Sequence, residues 1–239
     1  MSVLKTTIKD GALKEHYQKG ALRLISLPVD YGKARDEDDN RFFAYLSTLG
    51  GGLVGGDNYS QNFKMENSNA VLSSQSNQKV YKGASKLKTL INLDERSKLL
   101  FYNHANIFYK DADFSSKTTI FCQSGAQLFY LDGGFIGYAD ACFKANMSLR
   151  IYINSSLKLN DLFHYDSRQN LNSFFNYEYF YTLVIVNEEL DIPDVDESDL
   201  KAFSSKIDKV TVVRVVSSKN DSAMNYIDEL KNQFLKENV

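Results

Sequence analysis

The segment GGGLVGGD, residues 50–57, sets Gly50, Gly51, Gly52, Gly55 and Gly56 ahead of Asp57. So many glycines permit backbone conformations closed to other residues and let another chain or an ion approach closely. Gly50 and Gly55 have the spacing of a phosphate-binding loop, GxxxxGK[ST], in which a lysine and a hydroxyl reach the phosphates and magnesium. Here Gly56 and Asp57 stand in those two places. A carboxylate there repels phosphate, so nucleotide binding is not expected. Asp111 and Asp113, at i and i+2, fall on one side of a strand and could serve glycoside chemistry; a solvated edge or turn is the plainer reading. Cys122 and Cys142 have no CxxC partner, and the histidines are His16, His104 and His164. That excludes a disulfide framework and a zinc ribbon or finger. No G-x-S-x-G elbow is present and neither cysteine lies near a histidine in sequence, so nucleophilic catalysis has no signature.

The elements that carry these residues read as β-structure. An apolar run, a polar turn and a second apolar run appear in QNFKMENSNAVLSSQ, KTLINLDERSKLLFYN and TTIFCQSGAQLFYLD, and more loosely in LRIYINSSLKLND. Phe63, Ile91, Ile120 and Ile151 hold equivalent places, which sets a period of 28 to 31 residues. The runs are rich in β-branched and aromatic residues and the turns in Asn, Asp, Ser and Gly, so each unit reads as a β-hairpin. A single hairpin cannot bury its apolar face in water, whereas hairpins stacked at a fixed period share one core. An elongated, stacked β-architecture follows for residues 59–161, with an ordinary β-sandwich as the competing arrangement.

Beyond residue 166 the pattern changes. Residues 177–186 read as one long buried strand, and the apolar window 174–186 is too short to span a bilayer. An acidic run follows, with Ser198 as N-cap of a short helix over 199–206. VTVVRVV, 210–216, is a short strand. Met224, Ile227, Leu230 and Phe234, three or four apart behind Ser222, make an amphipathic helix ending near Lys236. The expectation is a single domain over 1–239: a mainly β body of stacked hairpins to about residue 190, then a small C-terminal β-α-β-α unit. Phe174, Phe175, Tyr177, Tyr179 and Tyr181 form the densest aromatic group in a chain with 16 Phe and 15 Tyr, and are the candidate partner surface.

Hydrophobic residues make up 43% of the 239, enough for a buried core. Lys plus Arg number 28 against 30 Asp plus Glu, a formal charge of −2, so no global basic field draws the chain to nucleic acid or an anionic membrane. The first residues are charged throughout and lack the apolar stretch of a signal peptide, so a cytoplasmic protein with free thiols is expected.

Two motifs together resemble a known family. GGGLVGGD is similar to the Gly-rich GG-x-x-x-GD segment of the urease accessory protein UreD, called UreH in some organisms. SSQSNQKVYK, residues 73–82, is similar to its T-x-Q-x-x-x-K-x-Y motif through Gln75, Lys79 and Tyr81. LLFYNHANIFYKDADF and FFNYEYFYTLVIVN continue the match in order, so that it covers residues 49–186. Asn106 stands where the family usually has proline, Lys110 where it has an acidic residue and Tyr138 where it has arginine, which marks a distant member.

The resemblance implies a β-helix-like fold and a non-enzymatic nickel-insertion chaperone that binds UreF-like and UreG-like accessory proteins on the urease apoprotein. It also implies an internal passage for the metal. Nickel is then transient cargo rather than a tightly bound cofactor. Ni²⁺ favours nitrogen and sulfur donors, no His/Cys cluster has ligand spacing, and a passage must bind weakly enough to release its ion. Asp57, Asp111 and Asp132 are the candidate lining groups, with His104 a nitrogen donor. Gln75, Lys79 and Tyr81 read as internal hydrogen-bonding or interface residues. A β-helical carbohydrate-binding or carbohydrate-active protein is the alternative.

Overall fold

The computed structural model describes residues 1–28, 41–140, 142–168 and 177–236. Among them lie β1 (Ser2–Lys9), β2 (Ala12–Lys19), β3 (Leu22–Leu27), β4 (Arg41–Thr48), β5 (Asn58–Glu66), β6 (Asn69–Ser74), β7 (Gln78–Val80), β8 (Gly83–Leu93) and β9 (Lys98–Tyr102). β10 (Asn106–Phe108), β11 (Ala112–Cys122), β12 (Gln127–Phe135), β13 (Lys144–Ile153), β14 (Ser156–Asp166), β15 (Tyr179–Val186), β16 (Val195–Asp196), β17 (Leu200–Ile207), β18 (Val210–Ser217) and α1 (Asn220–Lys236) follow. The first sheet has the order β14-β13-β11-β8-β5-β1-β2 and the second β16-β17-β18-β15-β12-β9-β6-β4-β3.

The period read in the sequence is the register of the first sheet. Phe63 pairs with Ile91, Ile91 with Ile120 and Ile120 with Ile151, in parallel, and all four side chains are fully buried. The hairpin reading needs correction for three of the four units. β5 and β6 lie in different sheets, as do β8 and β9, and β11 and β12, so each unit is an arch that carries the chain from one sheet to the other. Each strand pairs with its counterpart one coil away. The turn residues are the same in either case: Asn67 (φ 46°) and Gly125 (φ 104°) reverse the chain without forcing the flanking strands to pair. Only the fourth unit is a hairpin, β13 against β14, closed by Asn154 and Ser155 with φ of 47° and 64°.

A short third side completes each coil. Leu53 N–H donates to the Lys79 carbonyl (2.8 Å), Tyr81 N–H donates to the Leu53 carbonyl (2.9 Å), and β7 pairs with β10 in parallel. The Gly-rich segment thus serves close approach. A Cβ on Gly52 would sit 2.5 Å from the Lys79 carbonyl oxygen, and Gly55 lies against the backbone of Gly83.

The central strands of the second sheet are buried on both faces. Toward the first sheet they present Leu128, Tyr130, Val184 and Val212; on the other side Phe129, Ile185 and Val213 meet Ile227, Leu230 and Phe234 of α1. The helix runs to Lys236 as its spacing predicts, but the expected helix over 199–206 is strand β17, antiparallel to β18. Tertiary pairing overrides the capping signal there: Asp199 instead accepts a hydrogen bond from Ser222 Oγ (2.9 Å) at the start of α1. The C-terminal part is therefore three strands and one helix. Lys98 and Glu188, both buried, pair at 3.2 Å, with the ammonium 4.2 Å from the Phe234 ring, which ties β9 to the helix.

Candidate functional site

One level of the inter-sheet space is polar. Two residues before the Phe63 row, on the same inward faces, Gln61, Thr89 and Thr118 stand in register, with Gln61 Nε2 donating to Thr89 Oγ1 (2.9 Å). Facing them from β12 are Tyr130 and Asp132. The Tyr130 hydroxyl lies 3.2 Å from Thr118 Oγ1 and donates to Asp132 Oδ2 at 3.2 Å. The other carboxylate oxygen accepts from Asn106 Nδ2 (3.1 Å) and Gly133 N–H (2.9 Å). Alternation on β12 explains the placement: Leu128, Tyr130 and Asp132 point between the sheets while Phe129 and Leu131 point to α1.

A cavity of about 70 Å³ runs along this row from Leu22 and Gln61 to Asp132, and its wall includes His104, Asn106 and Ser116. A second, of about 20 Å³, shares Ser116, Tyr130 and Asp132 and continues past Met147 and Leu149 to Asp161 and Thr182. Asp132 stands at the junction. At the far end Arg214 donates to both Thr182 Oγ1 and the Asp161 carboxylate, linking the two sheets.

Burial pushes the Asp132 carboxyl up to about 6, against the hydrogen bonds from Gly133, Tyr130 and Asn106 that favour the charged form. Burial also raises the Tyr130 phenol well above its usual range, with the Asp132 charge adding to it. The His104 imidazole is held below its ordinary value by burial, partly opposed by the Asp228 carboxylate, so the ring is neutral at pH 7. Its N–H backbone donates to Ser74 Oγ (2.8 Å), and its ring meets Tyr102 edge-on at 5.4 Å. The ring thus lies on the α1 side of the second sheet, beside Tyr102, Asp228 and Lys231, and not beside Asp132. Among the described residues no three His, Cys, Asp or Glu converge on one metal position.

Of the expected lining groups, the structure aims Asp132 into the cavity, brings His104 to its border with the ring turned to Tyr102 and α1, and leaves two outside it. Asp57 closes a turn: its Oδ2 accepts the Val54 N–H (2.9 Å) and its carboxylate meets the Tyr59 hydroxyl. Asp111 is exposed, in a left-handed turn (φ 62°), 3.4 Å from Lys82, and Asp113 lies on the outer face of the first sheet, so the pair faces no cleft. Gln75 and Lys79 are exposed rather than internal, while the Tyr81 ring lies 4.8 Å from Tyr109, which in turn stacks on Tyr138. In the aromatic group, Phe174 and Phe175 lie outside the described residues. Tyr177 is half-buried, Tyr179 stacks on Phe135 (4.6 Å), and Tyr181 is buried beneath α1 with its hydroxyl on Asn220 (3.0 Å), which removes it from any partner surface.

Sequence reasoning missed Gln61, Thr118 and Tyr130 as site residues. Asn106 did carry a signal, as the amide standing where the resemblance expects proline; its side chain is the donor that a proline could not supply to Asp132.

The stacked coils, the glycine approach and the polar interior agree with a match over almost the whole sequence: the family model described as UreD urease accessory protein covers residues 4–238. The chain belongs to the UreD family. The urease accessory protein UreD of Ureaplasma urealyticum serovar 10 is 31% identical over 176 residues, which are 67% of this chain and 61% of that protein. That of Bacillus sp. strain TB-90 is 28% identical over 205 residues, 80% of this chain and 73% of its own. That of Bacillus cereus is 26% identical over 192 residues, 73% and 66%. The identities fit a distant member. The matched region thus spans about three fifths of the Ureaplasma relative. No helix among the described residues is long and apolar enough to cross a membrane.

Proposed function

We propose that this UreD-family chain passes nickel to urease through the polar space between its two sheets, without catalysis or a resident cofactor. It acts in the cytoplasm, held by UreF-like and UreG-like accessory proteins on the urease apoprotein. The observation that carries the reading is Asp132, a carboxylate at the junction of two cavities, with the polar side chains of Gln61, Asn106, Thr118 and Tyr130 in the wall of the first. A lone carboxylate attracts Ni²⁺ without enclosing it, and hydroxyl and amide oxygens at Thr118, Tyr130 and Gln61 can replace water ligands weakly as the ion moves. Arg214 closes the far end by pairing with Asp161, and a cation leaving there would displace the guanidinium from that carboxylate.

The test is co-expression of the chain with urease subunits and accessory proteins, with nickel per urease active site as the readout. Asp132→Ala is expected to leave the complex intact and urease nickel-poor. Asp57→Ala is expected to weaken assembly through its turn. Normal nickel loading with Asp132→Ala, or without the chain altogether, would overturn the reading.

A further inference from the structure

We infer that the outer face of the first sheet is a docking surface for an acidic face of a partner protein. The central strands of the second sheet are covered on their outer side by α1, whereas nothing among the described residues covers the outer side of the first. Alternation sends Lys5, Lys64, Lys86, Lys88, Lys117 and Arg150 to that face, all exposed. Lys88 and Lys117 are directly opposed in the parallel register, with Lys86 two residues away. Like charges opposed across strands oppose folding, so folding gives no reason for the arrangement. Of its carboxylates, Glu66 is engaged with Lys9 and Lys64 and Asp166 with Arg168 and Lys144, while Asp113 and Glu15 stand exposed toward the margins, Glu15 accepting from Thr7. Lys5, Lys86, Lys88 and Lys117 have no ion-pair partner among the described residues.

The charge is segregated. The whole chain carries −2, yet every ionisable residue of segment 188–199 is acidic, and Leu190 and Ile192 of that segment pack on the α1 side of the second sheet. Four of those carboxylates are held by lysines, Glu188 by Lys98, Glu189 by Lys206, Asp196 by Lys201 and Asp199 by Lys219, whereas the lysines of the sheet face are not so engaged and can steer an acidic partner to it.

Seven strands at about 4.8 Å spacing and about 3.3 Å per residue along them give a face of roughly 900 Å², near the ~800 Å² per partner of a stable interface. Between the lysines stand Ser60, Asn62, Ser115 and Asn146, small hydrogen-bonding groups suited to protein side chains. Rings stand only toward its margins, Tyr17 opposite Lys5 and Phe121 stacked on Tyr152 at 4.9 Å, and none lies between Lys86, Lys88 and Lys117 to stack successive bases. Leu162, exposed at the β14 end of the row of Lys88, Lys117 and Ser148, is a single apolar side chain rather than the apolar face that enters a lipid surface.

The inference rests on the proposed assembly, and its experiment separates the two. The full chain is presented to the urease apoprotein with its accessory proteins, and association is followed as salt is raised from about 0.05 to about 0.3 M. Wild type is expected to associate more slowly at high salt, and Lys86→Glu/Lys88→Glu/Lys117→Glu to lose about tenfold or more in association rate at low salt with a flattened salt dependence. Lys→Gln at the same three positions is expected to fall between them, and it decides the matter if the reversed variant does not fold. Unchanged association of the folded variants overturns this inference alone. So does a loss confined to RNA or to phosphatidylserine vesicles. Wild type that binds no protein of the assembly overturns the proposed function and the inference together.

Discussion

Two adjacent levels of the same interior follow opposite rules. On β5, β8, β11 and β13 the row Phe63, Ile91, Ile120, Ile151 is apolar and fully buried, while two residues earlier Gln61, Thr89 and Thr118 face Tyr130 and Asp132. Backbone, register and burial are nearly the same. The first row stabilises by removing hydrocarbon from water, about 1.5–3 kcal/mol for each large side chain. The second row must satisfy every polar group it buries and carries a carboxylate that burial disfavours. A uniformly apolar interior would be easier to fold; the polar level is where stability has been given up, as the proposed passage requires.

The comparison can be broken most severely in the apolar row. Phe63→Ala should destabilise the fold by about 3–5 kcal/mol in denaturant unfolding, because neighbouring coils cannot collapse into the space without losing register. In the polar row the sign reverses. Asp132 has a folded pKa of about 6 against an ordinary 3.8, so protonation favours the fold: its contribution is fully present below about pH 4 and lost as pH rises through 6. That difference amounts to roughly 3 kcal/mol. Asp132→Asn should therefore match wild type in acid and become progressively more stable than wild type toward pH 7, while failing to load nickel. A variant whose advantage does not grow with pH would show that the carboxylate is not disfavoured by burial. Tyr130→Phe should cost about 1–2 kcal/mol by removing the hydroxyl between Thr118 and Asp132, read from thermal unfolding. The smallest effect is expected from Gln61→Leu with Thr89→Val, which removes both partners of one hydrogen bond and should change stability by under about 1 kcal/mol.

The apolar row was legible from sequence because four large residues at a near-constant period announce a repeating coil. Which strands pair was not, since Asn67 and Gly125 suit an arch as well as a hairpin, and only hydrogen bonds formed one coil away decide between them. The polar row was half legible. Asp132 and His104 stand out as chemically capable residues, but Gln61 and Thr118 look like the outward positions of any strand until the facing Tyr130 is in place. Asp57 shows the opposite error: its glycine context signals a tight turn, and the turn is what the carboxylate serves. The strand at 200–207 follows a capping signal at 198–199 that suits a helix, but Asp199 accepts from Ser222 of the following helix instead.

The parallel register also makes the coil a unit of length. Each turn of the chain adds one strand to each sheet and advances the interior by about 4.8 Å. Removing residues 61–88 as a block would leave the surviving strands able to pair as before and shorten the polar row by one member, whereas removing a few residues would shift every side chain off its row. Depth of the interior is thus adjustable only in whole steps, and relatives that differ in overall size can keep the same cross-section while spanning different distances.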